Sequence, residues 1–156
     1  MLTRRSVLAL CAYAAAMPVF DALAGPALPP MTVHKDPNCG CCGAWVEHLR
    51  QAGFTVTVSE TASMNKVKGR LGVRPELASC HTGEIAGYVV EGHVPAAAIE
   101  RLLKEKPAAI GLAVPGMPIG SPGMEVEGQE PETYEVLVFD AAGSRSFARY
   151  KGAAAI

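Results

Sequence analysis

Three cysteines within four residues, Cys39-Gly40-Cys41-Cys42, stand between a short apolar segment and a stretch with helical periodicity. That placement narrows the chain to folds in which a strand runs directly into a helix, with sulfur at the helix start. The positive end of a helix stabilises a thiolate, so thiols placed there are acidic, nucleophilic and soft. Such a cluster is either a redox centre or a site for a soft metal.

The flanking pattern predicts alternating elements. Met31 to Lys35 reads as a strand, and Asp36-Pro37-Asn38 turns the chain into the cysteines. From Cys42 to Ala52, Trp45, Val46 and Leu49 recur at helical spacing, and Gly53 is a C-terminal stop. Phe54 to Val58 alternates with β-branched residues and reads as a second strand. Ser63 is expected to cap a second helix, whose Met64, Val67 and Leu71 share a face before Gly72 and Pro75 end it. Tyr88-Val89-Val90 reads as a strand, expected to pair with the stretch around Cys80 and His81 through a turn at Thr82-Gly83. Pro95 opens a third helix, with Ile99, Leu102 and Leu103 inward and Glu100, Arg101, Lys104 and Glu105 outward.

Residues 107 to 131 are rich in proline and glycine and are expected to form one long loop carrying Met117 and Met124. Loops of that length are usually functional or disordered. Tyr134 to Phe139 and Arg145 to Tyr150, joined by Ala141-Ala142-Gly143-Ser144, read as a C-terminal β-hairpin. The order strand, helix, strand, helix, hairpin, helix is that of an α/β sandwich of the thioredoxin type. There a Cys-x-x-Cys pair lies between the first strand and the first helix. Cys39 and Cys42 occupy that register, and Cys41 is an additional thiol within it.

The amino-terminus indicates the compartment. Arg4 and Arg5 form a positive n-region, Val7 to Phe20 a short apolar h-region, and Ala22-Leu23-Ala24 a small-residue cleavage signal. The apolar run is short for a bilayer span, so an export signal over residues 1–24 is expected rather than a stable membrane anchor. Thr3-Arg4-Arg5-Ser6-Val7-Leu8 resembles a twin-arginine signal, although Val7 and Ala9 depart from that pattern and ordinary secretion stays open. Cys11 leaves with the signal. Removing the first 24 of 156 residues leaves 132, a single domain over 25–156. Of the 14 basic and 15 acidic residues, Arg4, Arg5 and Asp21 lie in the signal. No basic stripe remains, which excludes a nucleic-acid partner recognised through phosphate.

Of the five cysteines, Cys39, Cys41, Cys42 and Cys80 remain after cleavage. An even count in an oxidising compartment suggests two structural disulfides. The spacing argues against that, because adjacent cysteines and Cys-x-Cys pairs sit too close for the roughly 5.5 Å separation that bridged Cα atoms prefer.

Five motifs in order carry a family resemblance. They are Cys-Gly-Cys-Cys-Gly-Ala-Trp from Cys39, Ser79-Cys80-His81-Thr82, Glu91-Gly92-His93-Val94-Pro95, the run from Gly111 to Pro118, and Gly120-Ser121-Pro122-Gly123-Met124-Glu125. Together these resemble the periplasmic CopG-like copper-resistance proteins, over nearly all of the mature chain. The resemblance implies a thioredoxin-like fold, copper binding through the cysteines, and a role in copper resistance that extends to copper or thiol redox chemistry.

Cu(I) prefers thiolate and thioether ligands, and Cys39, Cys41, Cys42 and Cys80 together can bridge several ions. Met117 and Met124 are either loop anchors or further ligands, and His81 and His93 either ligate or satisfy a backbone carbonyl. His34, in the first strand, and His48, on the first helix with a surface position expected, rank below them. Trp45 is expected as a core anchor under the cysteine loop, and Lys35 and Asp36 as a solvated turn able to tune the thiols. A second class of function stands beside the metal reading: thiol-disulfide exchange, with Cys39 as nucleophile and Cys42 as resolving thiol. Cys41 favours metal, since an extra thiol scrambles dithiol exchange but adds a ligand. A zinc site fits less well, because structural zinc uses paired Cys-x-x-Cys knuckles and this chain has one dense knot. Partners expected are copper ions and periplasmic copper-handling or redox proteins.

Overall fold

The structure, a computed structural model, describes residues 27–156. The expected export signal, with Arg4, Arg5 and Cys11, lies outside the described residues. The described chain is a mixed α/β structure of eight strands and three helices. In chain order these are β1 (Met31–Lys35), α1 (Gly40–Gln51), β2 (Val56–Glu60), α2 (Met64–Arg70), β3 (His81–Ile85), β4 (Tyr88–Glu91), α3 (Ala96–Glu105), β5 (Gly111–Ala113), β6 (Thr133–Phe139), β7 (Ser144–Lys151) and β8 (Ala154–Ala155). A 3-10 turn, Pro75–Leu77, separates α2 from β3.

All eight strands form one sheet in the order β2-β1-β3-β4-β5-β6-β7-β8. The β1/β2 and β4/β5 pairs are parallel, and each is joined through a helix; the remaining pairs are antiparallel. Alternation along the strands assigns the two faces. Val90, Leu112 and Val138 join Met31, Val33 and Ile85 in the larger core, under Trp45, Val46 and Leu49 of α1 and Ala98, Ile99 and Leu102 of α3. Val89, Ala113 and Phe139 point the other way and pack with Val73 and Leu77, beside the 3-10 turn. Helix α1 thus sits in the larger core by its apolar stripe, which brings its amino-terminal cysteines over the end of β3. Fully burying an aromatic anchor such as Trp45 contributes about 2–3 kcal/mol.

Several expectations shift. Helix α1 begins at Gly40, so Cys41 and Cys42 lie in its first turn and Cys39 is its N-cap residue. Strand β2 starts two residues late, at Val56, because Phe54 turns into the core instead. Ser63 stands at the N-cap of α2 without a side-chain cap bond. Met64, Val67 and Leu71 are only half-buried, while Lys68 is the buried residue of that helix.

The turn expected at Thr82-Gly83 is strand: both residues belong to β3, and the hairpin turns at Ala86-Gly87 instead. Their φ angles of 48° and 84° suit a two-residue hairpin loop. Gly83 lies under Met31, where a Cβ would stand 2.1 Å from Cε at the flexible end of that side chain. The loop expected over 107–131 likewise contains β5, paired with β4 on one side and β6 on the other. Gly111 belongs there because a Cβ would lie 1.8 Å from the carbonyl oxygen of Val89. The C-terminal hairpin is present as β6 and β7, with an irregularity between Val136 and Leu137. No helix among the described residues is long and apolar enough to cross a membrane.

Candidate metal centre

The junction of β1 and α1 sets the first three sulfurs. Asp36 Oδ1 accepts the Asn38 amide (2.9 Å), closing the turn that delivers Cys39 to the N-cap. Cys39 and Cys42 are bridged, with Cα atoms 5.5 Å apart, leaving Cys41 and Cys80 as the free thiols among the described residues. The bridge spans the one pair in the cluster whose spacing permits ordinary geometry. Cys41 Sγ lies 3.5 Å from Cys39 Sγ and 3.8 Å from Cys80 Sγ, although 39 residues separate Cys41 from Cys80. The four sulfurs lie within 4.8 Å of one another.

Cys80 also belongs to a second cluster, with His81 and His93. Its sulfur is 3.2 Å from His81 Nδ1 and 3.2 Å from His93 Nε2. Both histidines are fully buried. His93 Nδ1 is 2.9 Å from the carbonyl oxygen of Pro122, which only accepts, so Nδ1 carries the proton and Nε2 turns a lone pair toward Cys80. Donating the remote ring N–H to a carbonyl is how metal-ligating histidines are oriented. His81 stacks on Trp45 with ring centroids 4.2 Å apart, and its Nε2 is buried without a hydrogen-bond partner. Trp45 is the core anchor under the cysteine loop and donates from Nε1 to the Val94 carbonyl (2.9 Å).

The electrostatics follow from this burial. Desolvation, followed by the charge of Cys41 and a hydrogen bond with it, pushes the Cys80 thiol up to about 11. Burial holds His81 well below its ordinary value, reinforced by the charges of His93 and Lys68. Burial also lowers His93, against the opposing pull of the Pro122 carbonyl and Glu125. The metal-free site at neutral pH is therefore a protonated Cys80 beside two neutral imidazoles. The thiols of Cys41 and Cys80 and two imidazole nitrogens form a donor set suited to copper, which Cys39 and Cys42 join once their bridge is reduced.

The other expected residues fall as follows. Met117 is 52% exposed, and the adjacent Gly116 carbonyl accepts the Ser79 hydroxyl. Met124 is half-buried next to Gly123, where an added Cβ would lie 2.6 Å from Trp45 N and 2.9 Å from the Cys41 carbonyl oxygen. The loop carrying Met124 is thus seated on the first turn of α1. His34 faces Glu84 (2.8 Å). His48 corrects the expectation of a surface position: it is half-buried, and its Nε2 accepts the Ala96 amide (3.2 Å) at the start of α3. Lys35 is buried and pairs with Glu60 (3.1 Å), so the turn is less solvated than expected.

A charged group beneath Cys80 was missed from sequence. Glu91 is fully buried, accepts from Lys68 Nζ (2.5 Å) and the Ser79 amide (2.6 Å) at Oε1, and from Thr82 Oγ1 (2.6 Å) at Oε2. The available signal was an acid ending the apolar run Tyr88-Val89-Val90, where a strand this buried would otherwise remain apolar.

Comparison with known proteins places this geometry. The family model described as "Protein of unknown function, DUF411" matches residues 77–124, the stretch that carries Cys80, His81, His93, Met117 and Met124. No curated protein matches the sequence significantly. A solved structure titled "Copper resistance protein copG- Form 1" is 48% identical, covers 80% of this chain and 99% of its own, and superposes with a TM-score of 0.74. A second, "Copper resistance protein copG- Form 2", is 47% identical over 79% of this chain and 98% of its own, with a TM-score of 0.73. With close to half of all positions identical across essentially the entire length of those structures, this chain belongs to the family of the copper resistance protein CopG.

Proposed function

We propose that this is an exported, periplasmic copper-binding protein that holds Cu(I) on Cys39, Cys41, Cys42 and Cys80 as a multi-copper thiolate cluster, in copper resistance. The observation that carries this reading is the convergence of four sulfurs from two distant segments within 4.8 Å, with one of them shared by two buried imidazoles. Two electrons and two protons from a thiol reductant open the Cys39–Cys42 bridge and release two of the four ligands. His81 and His93 supply nitrogen donors through Cys80's side of the cluster, and Met117 and Met124 supply thioethers from the loop packed on α1. The amino-terminal segment supports export, and the copper resistance of the relatives supports the cargo. The fold is read as thioredoxin-like: β1, α1, β2, α2, the β3–β4 hairpin and α3 follow that order, with β1 central between β2 and β3.

The bridge itself favours a second reading, thiol-disulfide or copper redox exchange with Cys39 as nucleophile and Cys42 as resolving thiol. One experiment separates the two. The mature domain is reduced, loaded anaerobically with Cu(I), and its copper-to-protein ratio measured by elemental analysis beside Cys41→Ser. More than one copper per chain and a clear loss in the variant are expected. Equal binding by the variant, with insulin-reductase activity retained, would establish exchange instead.

A further inference from the structure

Glu91 and Lys68 form an ion pair in which the carboxylate is fully buried and the lysine nearly so. Removing both charges from water is costly, and such pairs are often no more stabilising than apolar residues of the same size. A buried charge is best explained by what its hydrogen bonds hold in place. Three donors converge on Glu91: Lys68 from α2, Thr82 opposite it on β3, and the backbone amide of Ser79. Lys68 Nζ also reaches Thr82 Oγ1 at 3.0 Å, which closes the group. Ser79 is the outlier among the three, because it lies outside the helices and strands and directly precedes Cys80.

The Ser79 segment is held on its other sides as well. A Cβ on Gly92 would lie 2.6 Å from Ser79 Cβ, and the Ser79 hydroxyl donates to the Gly116 carbonyl. With its amide drawn down by Glu91, the segment carries the adjoining Cys80 sulfur to 3.8 Å from Cys41 and 3.2 Å from each imidazole. We infer that Glu91, braced by Lys68, is a positioning residue that holds Cys80 in register with the other sulfurs. What matters is the reach of the side chain to the Ser79 amide, more than its charge. This deepens the metal reading and rests on it for the purpose of Cys80.

The bridge makes the test direct, since Cys41 and Cys80 are the thiols free to react among the described residues. Metal-free protein without reductant is labelled with iodoacetamide, and the rates at Cys80 and Cys41 are read by peptide mass spectrometry. Glu91→Asp keeps the charge, which flexible Lys68 can follow, but is one methylene too short for Ser79. Its Cys80 rate relative to Cys41 should rise about tenfold, the effect of losing one charge-assisted bond. Glu91→Gln keeps the reach; it lowers global stability by leaving Lys68 without its counter-charge, but its Cys80-to-Cys41 ratio should stay within about twofold of the parent. With the fold intact by circular dichroism, an unchanged ratio in Glu91→Asp, or an equal rise in both variants, overturns the inference. Should a variant fail to fold, the parent protein decides: the Ser79 amide proton should exchange at least about a hundredfold slower than an unstructured amide, and exchange at the unstructured rate overturns it. Labelling is read without metal, so this outcome stands apart from whether copper binds. Where it does bind, Cu(I) competition against a chelator should weaken in Glu91→Asp and not in Glu91→Gln.

Discussion

At Cys80 a half-buried thiol meets two fully buried ring nitrogens, and the protonation of each follows from that burial. His81 and His93 are both held below the ordinary imidazole value of 6.5, chiefly by burial. As the pH falls below about 6.5 the unfolded chain takes up protons at these two positions that the folded chain refuses. Folding stability should therefore be unaffected by them above that pH and decline below it, by up to about 1.4 kcal/mol per pH unit for each imidazole. Thermal unfolding of the metal-free protein from pH 7.5 to 5 is expected to show a falling midpoint, with a shallower slope in His93→Gln. An identical slope in the variant would mean that His93 is not buried neutral. The raised Cys80 thiol adds a further consequence, since a metal that takes its thiolate must displace a proton.

The element that completes the site is the segment from Gly120 to Met124, which lies against the first turn of α1. Gly123 has φ +84°, and its Cα faces Trp45 N and the Cys41 carbonyl with no room for a side chain. Gly128, at φ +77°, has nothing within 4 Å of an added Cβ. Both positions disfavour alanine by backbone conformation, but only Gly123 has a neighbour to collide with. Gly123→Ala should cost about 1–3 kcal/mol more than Gly128→Ala in urea denaturation, and it should lower the Cu(I) content, because the same shift carries Pro122 away from His93. Equal costs for the two variants would show that the segment is not seated on the helix. His48 has a comparable structural task, since its ring accepts the first free amide of α3 in place of a capping side chain.

On the scale of the whole molecule, the cysteines at the start of α1 and the stretch from Leu77 to Met124 are separate in sequence and share one donor cluster. A metal bound there joins the adjoining ends of β1, β3 and β4, which are neighbours in the sheet, and adds its binding energy to folding. Free Cu(I) at a hundred times its dissociation constant should stabilise the reduced domain by about 2.7 kcal/mol, and raise the midpoint of a single unfolding transition by about 10 °C. A chelator should reverse the shift, and Cys80→Ser should remove most of it. Two transitions, with only one responding to copper, would mean that the segments sharing the site do not unfold as one unit with the rest of the sheet.

Local periodicity was enough to determine the strand-to-helix junction at the cysteines, the inward faces of α1 and α3, and the closing hairpin, because each depends on residues within a few turns of one another. The resemblance carried by the five motifs added the copper reading and the place of Cys80 in it. Tertiary structure alone decided that Gly83 lies within a strand, that Gly111 is a packing glycine, that β5 pairs inside a segment rich in proline and glycine, and that Lys68 turns inward to Glu91. It also decided that the free thiol of Cys80 stands 3.8 Å from that of Cys41, 39 residues away in sequence. The physical reason is common to all of these: strand pairing, close backbone approach and buried charge are settled by partners that arrive from tens of residues away, and one-dimensional spacing carries no record of which partner arrives.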